Sequence, residues 1–306
     1  MHTRQQRLEA LIALAGKGPG LPTAVVHPCD EAALRGALLA REHGLIVPTL
    51  VGPEHRIRAL VEEHRLDLHE CVLIDTPHSH ASAGRAIALV REGLADALMK
   101  GSLHTEELMS AVLDRDCGLR TDRRVSHVFY MDVPLYPKPL ILTDAAVNIE
   151  PTLEDKVHIV QNAINFGIAM GIAVPHVALL AAVETVNPRM RATLDAAVLC
   201  KMADRGQICG GVFDGPLAFD NAISAEAAAR KGIVSAVAGA ADVLVAPDIE
   251  SANMLAKQLE YLADAIIAGL VLGARVPIIL TSRADSADTR LASAAAAVTY
   301  ARRLKS

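Results

Sequence analysis

Short apolar runs of strand length alternate with helical stretches along most of the chain. Thr23–His27, Leu45–Gly52, Cys71–Asp75 and Ala95–Gly101 are four such runs, each ending in a polar residue or a glycine. Helical patterns separate them: one opening near Asp30, a good N-cap residue, then Glu54–Arg65, Ser82–Glu92 and, after the fourth run, Thr105–Leu113. Repeated strand–helix units of this length predict a mainly parallel sheet with right-handed crossovers. Val125–Met131 and Pro139–Asp144 lie too close together for an intervening helix, so this pair is expected to be antiparallel.

The second half repeats the theme. Thr152-Leu-Glu-Asp155 resembles a capping box opening a helix to about Gly171. His176–Val183, Ile208–Phe213 and Val243–Ala246 read as strands, and Pro188–Asp204 and Ala222–Arg230 as helices. Glu250–Leu272 reads as one long helix, apolar nearly all round, to be deeply buried or placed at a subunit interface. A strand follows at Val276–Leu280, then a helix over Asp288–Leu304 that should pack on the first lobe. The turn-rich stretch Ala145–Pro151 is taken as the crossing between lobes. The expected division is 1–145 with 278–306 for the first lobe and 146–277 for the second.

Composition narrows the possibilities. At 306 residues, 52% of them hydrophobic, the chain is long enough for two lobes and too apolar for disorder. With no Trp, four Tyr, four Phe and a formal charge of −5, it lacks the aromatic platform and positive field of a nucleic-acid binder. Five cysteines without CxxC or zinc spacing suggest a reduced, cytoplasmic chain. The longest apolar stretch, Ile266–Leu280, is broken by Gly269, Gly273, Arg275 and Pro277, so no membrane span is expected; nor does the first segment read as a signal peptide.

The candidate chemistry concentrates where the Val276–Leu280 run stops. Thr281-Ser-Arg-Ala-Asp-Ser-Ala-Asp288 crowds hydroxyls, a guanidinium and two carboxylates at a strand end, the usual ligand position in an open α/β sheet. Serine beside arginine suits a phosphoryl or acyl-phosphate oxygen, and Asp285 or Asp288 could serve as a general base. Asp288 fits equally as the cap of the last helix and Arg283 as a surface ion pair, so these residues alone do not choose a reaction. No phosphate-binding glycine loop, dinucleotide fingerprint or GxSxG elbow occurs, and His78-Ser-His80 reads as a solvated loop rather than a metal pair.

Four ordered stretches carry a resemblance: Leu98-Met-Lys-Gly-Ser-Leu-His-Thr105, Gly118-Leu-Arg-Thr121 with Ser126-His-Val128, Leu142-Thr-Asp-Ala-Ala-Val-Asn-Ile-Glu-Pro151, and Val276–Ala287. Together they resemble the phosphate acetyltransferase and phosphate butyryltransferase family. The resemblance implies an isocitrate/isopropylmalate-dehydrogenase-like α/β fold, two α/β/α lobes with a cleft between them, in a cytoplasmic homodimer. It further implies reversible transfer of a short acyl group, acetyl to butyryl, between coenzyme A and inorganic phosphate. Acyl-CoA, phosphate and acyl phosphate are then the partners, with no metal and no permanently bound cofactor.

Carried over by motif, Ser282 and Arg283 fall at the reacting end, with Arg283 on the phosphate. The family's aspartate follows by several residues, making Asp288 the first choice and Asp285 the second. Lys100, Gly101 and Thr105 fall on the substrate side of the first stretch, and Thr143 and Asn148 in the segment lining the cleft. The expected step is direct attack of the CoA thiolate on the acyl phosphate in a ternary complex, without a covalent enzyme intermediate. The other readings are a metal- and NAD(P)-dependent decarboxylating dehydrogenase of the same fold and a non-catalytic CoA-binding module. The Thr-Ser-Arg-Ala-Asp hairpin is nearer the butyryl branch, and acyl preference stays open.

Overall fold

A computed structural model describes residues 3–16, 18–69, 71–282 and 284–304. Packing groups them into two compact units: residues 3–123 with 268–304, and residues 124–267. These limits fall earlier in the chain than the expected crossings at 145/146 and 277/278.

The first unit opens with helix α1 (Arg4–Leu14) and runs β1 (Leu21–Val26), α2 (Glu31–Glu42), β2 (Ile46–Gly52), α3 (Glu54–His64), β3 (Val72–Asp75), α4 (Ser79–Arg91), β4 (Ala97–Lys100) and α5 (Thr105–Val112). After the other unit the chain returns through β10 (Ile266–Leu272), β11 (Ile278–Ile279) and α11 (Ala287–Leu304). Strand order here is β3-β2-β1-β4-β11-β10, parallel except that β10 runs against β11. Asp30 caps α2 as its position predicts, accepting from Ala33 N at 2.7 Å. The final helix is alanine-rich and buried on several faces, which lets it seat closely against α1, α2 and β11 within the same unit, as expected.

The second unit contains β5 (Ser126–Asp132), β6 (Leu140–Thr143), α6 (Leu153–Ala169), β7 (His176–Leu180), α7 (Arg191–Asp204), β8 (Val212–Leu217), α8 (Phe219–Ile223), α9 (Ala225–Arg230), β9 (Val243–Val245) and α10 (Ile249–Leu262). Its order is β5-β6-β9-β7-β8, with β5 and β6 antiparallel, as their spacing requires, and the remaining neighbours parallel. The predicted capping box is present: Thr152 Oγ1 accepts from Asp155 N at 3.2 Å and Asp155 Oδ2 from Thr152 N at 3.0 Å. The core gathers Phe129, Met131, Leu140, Leu142, Leu244 and Ile267.

The long helix expected over Glu250–Leu272 is not formed. The helix ends at Leu262, the chain turns through Asp264 at φ 51, and Ile266–Leu272 becomes a strand buried at every position. A short apolar run buried on all sides carries no period, so hydrophobicity alone could not separate strand from helix. Among the described residues, no helix is long and apolar enough to cross a membrane.

One close approach fixes the register at the head of the first unit. Gly101 N donates to Val26 O at 2.9 Å, and a Cβ on Gly101 would press on the carbonyl oxygens of Val26 and His27, 2.5 Å from the latter. Gly84, by contrast, sits in α4 with nothing within 4 Å of the same added atom. Gly101→Ala is therefore expected to destabilise by ~3 kcal/mol through forced backbone displacement, whereas Gly84→Ala should stabilise by up to ~1 kcal/mol. Calorimetric unfolding of both variants checks the pair.

Candidate active site

Strand order in the first unit reverses between β1 and β4: the chain leaves β1 toward β2 and β3, then returns through α4 to β4 on the other side. The carboxyl ends flanking such a reversal are where an open α/β sheet holds ligands. Register brings three ends to one level. Val26 pairs with Lys100, and Met99, one residue earlier on β4, pairs with Ile279, the last residue of β11. Lys100, Gly101 and the start of the Thr281–Asp288 hairpin follow directly on these paired positions.

Lys100 is buried, and its Nζ donates to Gly101 O at 3.3 Å. The turn after it is tied down by Ser102, whose hydroxyl donates to His27 O at 2.8 Å and accepts from Cys29 N at 3.2 Å. Thr105 is the half-buried first residue of α5. His27 itself has φ 55 and is buried, with Nδ1 3.1 Å from Ser82 Oγ, which in turn lies 2.8 Å from Thr76 Oγ1. Burial, reinforced by Arg56, lowers the His27 pKa and favours the neutral ring. This polar chain went unread in the sequence, although a histidine closing the first apolar run was the available signal.

Ser282 is exposed at the tip of the hairpin. Its N–H donates to Asp285 Oδ2 at 2.7 Å, and its carbonyl accepts from Asp285 N at 3.2 Å and Arg290 Nη2 at 2.7 Å. Arg290 Nη1 also donates to Thr281 Oγ1 at 2.9 Å. Asp285 therefore helps to shape the turn. Ser286 caps the last helix, its hydroxyl accepting from Thr289 N at 3.2 Å, and Asp288 lies in the first helical turn, partly exposed, 3.3 Å from Arg4 Nε. The cap is thus a different residue from the one the sequence offered. Arg283 lies outside the described residues.

Thr143 and Asn148 belong to the other unit, where both are buried. Thr143 Oγ1 donates to His127 O at 2.8 Å. Asn148 Nδ2 donates to Val125 O at 3.0 Å and Asp144 Oδ2 at 2.5 Å, and its Oδ1 accepts from Arg124 Nε at 2.6 Å. Both amide hydrogens are used, so in this arrangement Asn148 braces the turn. Asp144, not singled out from sequence, is the centre of that brace. Its carboxylate accepts from Ala146 N and Val147 N at 3.0 Å and Asn148 N at 3.3 Å, while burial raises its pKa against the pull of these donors.

The two histidines read as a solvated loop lie instead at the start of α4, His78 as its cap and His80 in its first turn. His78 Nδ1 accepts from Ala81 N at 3.2 Å, capping α4, and His80 Nδ1 lies 2.8 Å from a Glu107 carboxylate oxygen. Among the described residues, no group of three His, Cys, Asp or Glu side chains could hold a metal ion.

A sequence profile of the phosphate acetyl/butaryl transferase family matches residues 81–298. The chain belongs to this family. It is 59% identical over 297 residues to a phosphate acetyltransferase of Rhizobium meliloti, covering 97% of this chain and 94% of that protein. It is also 42% identical over 300 residues to a phosphate butyryltransferase of Clostridium beijerinckii, covering 98% and 99% respectively. The branched-chain phosphotransacylase structure from Enterococcus faecalis V583 superposes with a TM-score of 0.80 at 29% identity, covering 91% of this chain and 98% of that one. The α/β fold is thus that of the phosphotransacylases. The protein is a phosphate acyltransferase, moving acyl groups reversibly between coenzyme A and phosphate, and membership decides against the dehydrogenase and the non-catalytic module that the residues left open.

His127 is fully buried edge-on to Phe129, with ring centroids 4.4 Å apart and no hydrogen-bond partner on Nδ1. Burial pulls its pKa down to about 3. The unfolded chain, with an ordinary histidine near ~6.5, binds the proton over the intervening range while the folded chain does not. Stability should therefore fall as pH drops below ~6.5, by about 2 kcal/mol at pH ~5 from this residue. In His127→Gln that increment should vanish from urea midpoints compared at neutral and acid pH.

Proposed function

We propose that acyl transfer takes place at the hairpin Thr281–Asp288 and the Lys100–Gly101 turn, by direct attack of the CoA sulfur on an acyl phosphate. The observation that supports this reading is the shared level of the β4 and β11 ends: buried Lys100 follows Met99, exposed Ser282 lies three residues after Ile279, and Met99 and Ile279 are paired. A CoA thiol with a pKa near ~8.5 is mostly protonated at neutral pH, so a carboxylate is needed to take its proton. Asp288 is the better candidate, because Asp285 is engaged by Ser282 N whereas Asp288 is partly exposed beside Arg4. The thiol proton passes to that carboxylate, sulfur bonds to the acyl carbon, and the bond from that carbon to the phosphate oxygen breaks. Phosphate leaves with the electron pair.

Ser282 and Arg283 stabilise the developing oxyanion and the departing phosphate, and Lys100 adds positive charge to the phosphate side. Gly101 lets the backbone approach closely, while Thr105 begins the helix that follows. Thr143 and Asn148 act through the shape of their own turn. Three of the five thiols oppose an acyl-cysteine route: burial pushes Cys29 to about 11 and Cys200 to about 12, and a hydrogen bond to Asp114 raises Cys117. The enzyme works in the cytoplasm as a homodimer, taking acyl-CoA as a substrate rather than a resident cofactor. Short acyl groups from acetyl to butyryl are its substrates.

Thiol release from acetyl-, propionyl-, butyryl- and longer acyl-CoAs in the presence of phosphate or arsenate tests this directly. Ser282→Ala should lower turnover ~10²–10³-fold, and Asp288→Asn should also lose most activity while remaining folded. Near-normal rates in both variants would remove the hairpin from the chemistry.

A further inference from the structure

The family reaction does not explain why an arginine should be buried beneath this hairpin. Arg290, only 4% exposed, lies in the second turn of α11 with its guanidinium on Thr281 Oγ1 and Ser282 O. Its Nε has no hydrogen-bond partner. Burying a permanent cation is costly, and here two hydrogen bonds and the nearby charges of Asp285 and Asp30 offset it. A second element is adapted to the same arm. Gly36, buried within α2, is placed so that an added Cβ would lie 2.7 Å from Arg290 Cδ. Glycine is a poor helix former, so α2 gives up helix propensity where the arginine passes.

Both adaptations converge on one backbone group. Ser282 is held at its N–H by Asp285 and at its carbonyl by Arg290, so the guanidinium fixes the backbone that carries the hydroxyl, which itself accepts from Ala284 N at 3.4 Å. Small displacements of a reacting group can cost large factors in rate while leaving substrate binding intact. We propose that Arg290, seated by Gly36, is a positioning residue that aligns Ser282 for acyl transfer. This rests on the placement of Ser282 at the reacting end. A cavity of about 440 Å³ lined by Gly36, Leu39, Asp285 and Arg290 opens beside the arm, giving a small cation a route to the same place.

The experiment compares Ser282→Ala, Arg290→Lys, Arg290→Ala and Gly36→Ala in the full chain, measuring kcat, the KM of acyl-CoA and of phosphate, and the thermal midpoint. Arg290→Lys, which keeps the charge but not the two-pronged grip, should lower kcat ~10-fold or more with both KM values within about twofold. Gly36→Ala, whose added Cβ meets the Arg290 arm first, should lower kcat in the same selective way, by a smaller factor. Guanidinium ion at millimolar concentration should restore Arg290→Ala at least ~10-fold and leave Ser282→Ala unchanged. Unaltered kcat in Arg290→Lys and Gly36→Ala, with Ser282→Ala inactive, would overturn the positioning role alone. Losses of kcat that merely follow the folded fraction, without guanidinium rescue, would overturn it too. An active Ser282→Ala would instead overturn the placement on which it rests.

Discussion

The backbone contact between the ends of β1 and β4 constrains everything built above it. Gly101 N reaches Val26 O, Ser102 N and its hydroxyl both reach His27 O, and no side chain fits between. That contact fixes the level of Lys100 against Val26, and the ladder from β4 to β11 transmits the same level to the hairpin. A parallel sheet with its strand order reversed at β1 and β4 leaves room for a ligand above these ends. Polar residues that stand apart in the sequence thus follow strand ends that are paired.

The same economy governs buried polarity elsewhere in the chain. Buried polar and charged groups cost free energy unless paired, and most here are paired with backbone or an opposite charge. Asp144 collects three backbone N–H groups and the Asn148 amide, and Asn148 in turn receives Arg124. Lys156 donates to Asp195 at 2.7 Å with both side chains nearly buried. His127 is an exception, and it accommodates burial by remaining neutral. Asp144 and Asn148 hold the turn that follows β6, Lys156 and Asp195 tie α6 to α7, and such rigid support is what functional loops need.

Features set by near neighbours in the chain are the legible ones. The parallel framework, the antiparallel β5–β6 pair, the Asp30 cap and the Thr152 capping box follow from period and residue type, and the hairpin after β11 stands out by its crowded polarity. The Glu250–Leu272 run misleads because complete burial erases the period on which helix and strand are told apart. Arg290, His27, Ser82 and Asp144 escape a reading of the sequence for a different reason. Each is meaningful only through partners distant in sequence or through backbone groups, as with Gly36 under Arg290, and spacing along one chain does not encode such contacts.

Whether the ends of β4 and β11 act as one site is most directly measured by a double-mutant cycle between Lys100→Met and Ser282→Ala, read in kcat/KM for acyl phosphate. Side chains acting on the same phosphate should be coupled by ~1 kcal/mol or more, the second substitution costing much less once the first is made. Additivity within ~0.3 kcal/mol would contradict a single site at the two strand ends.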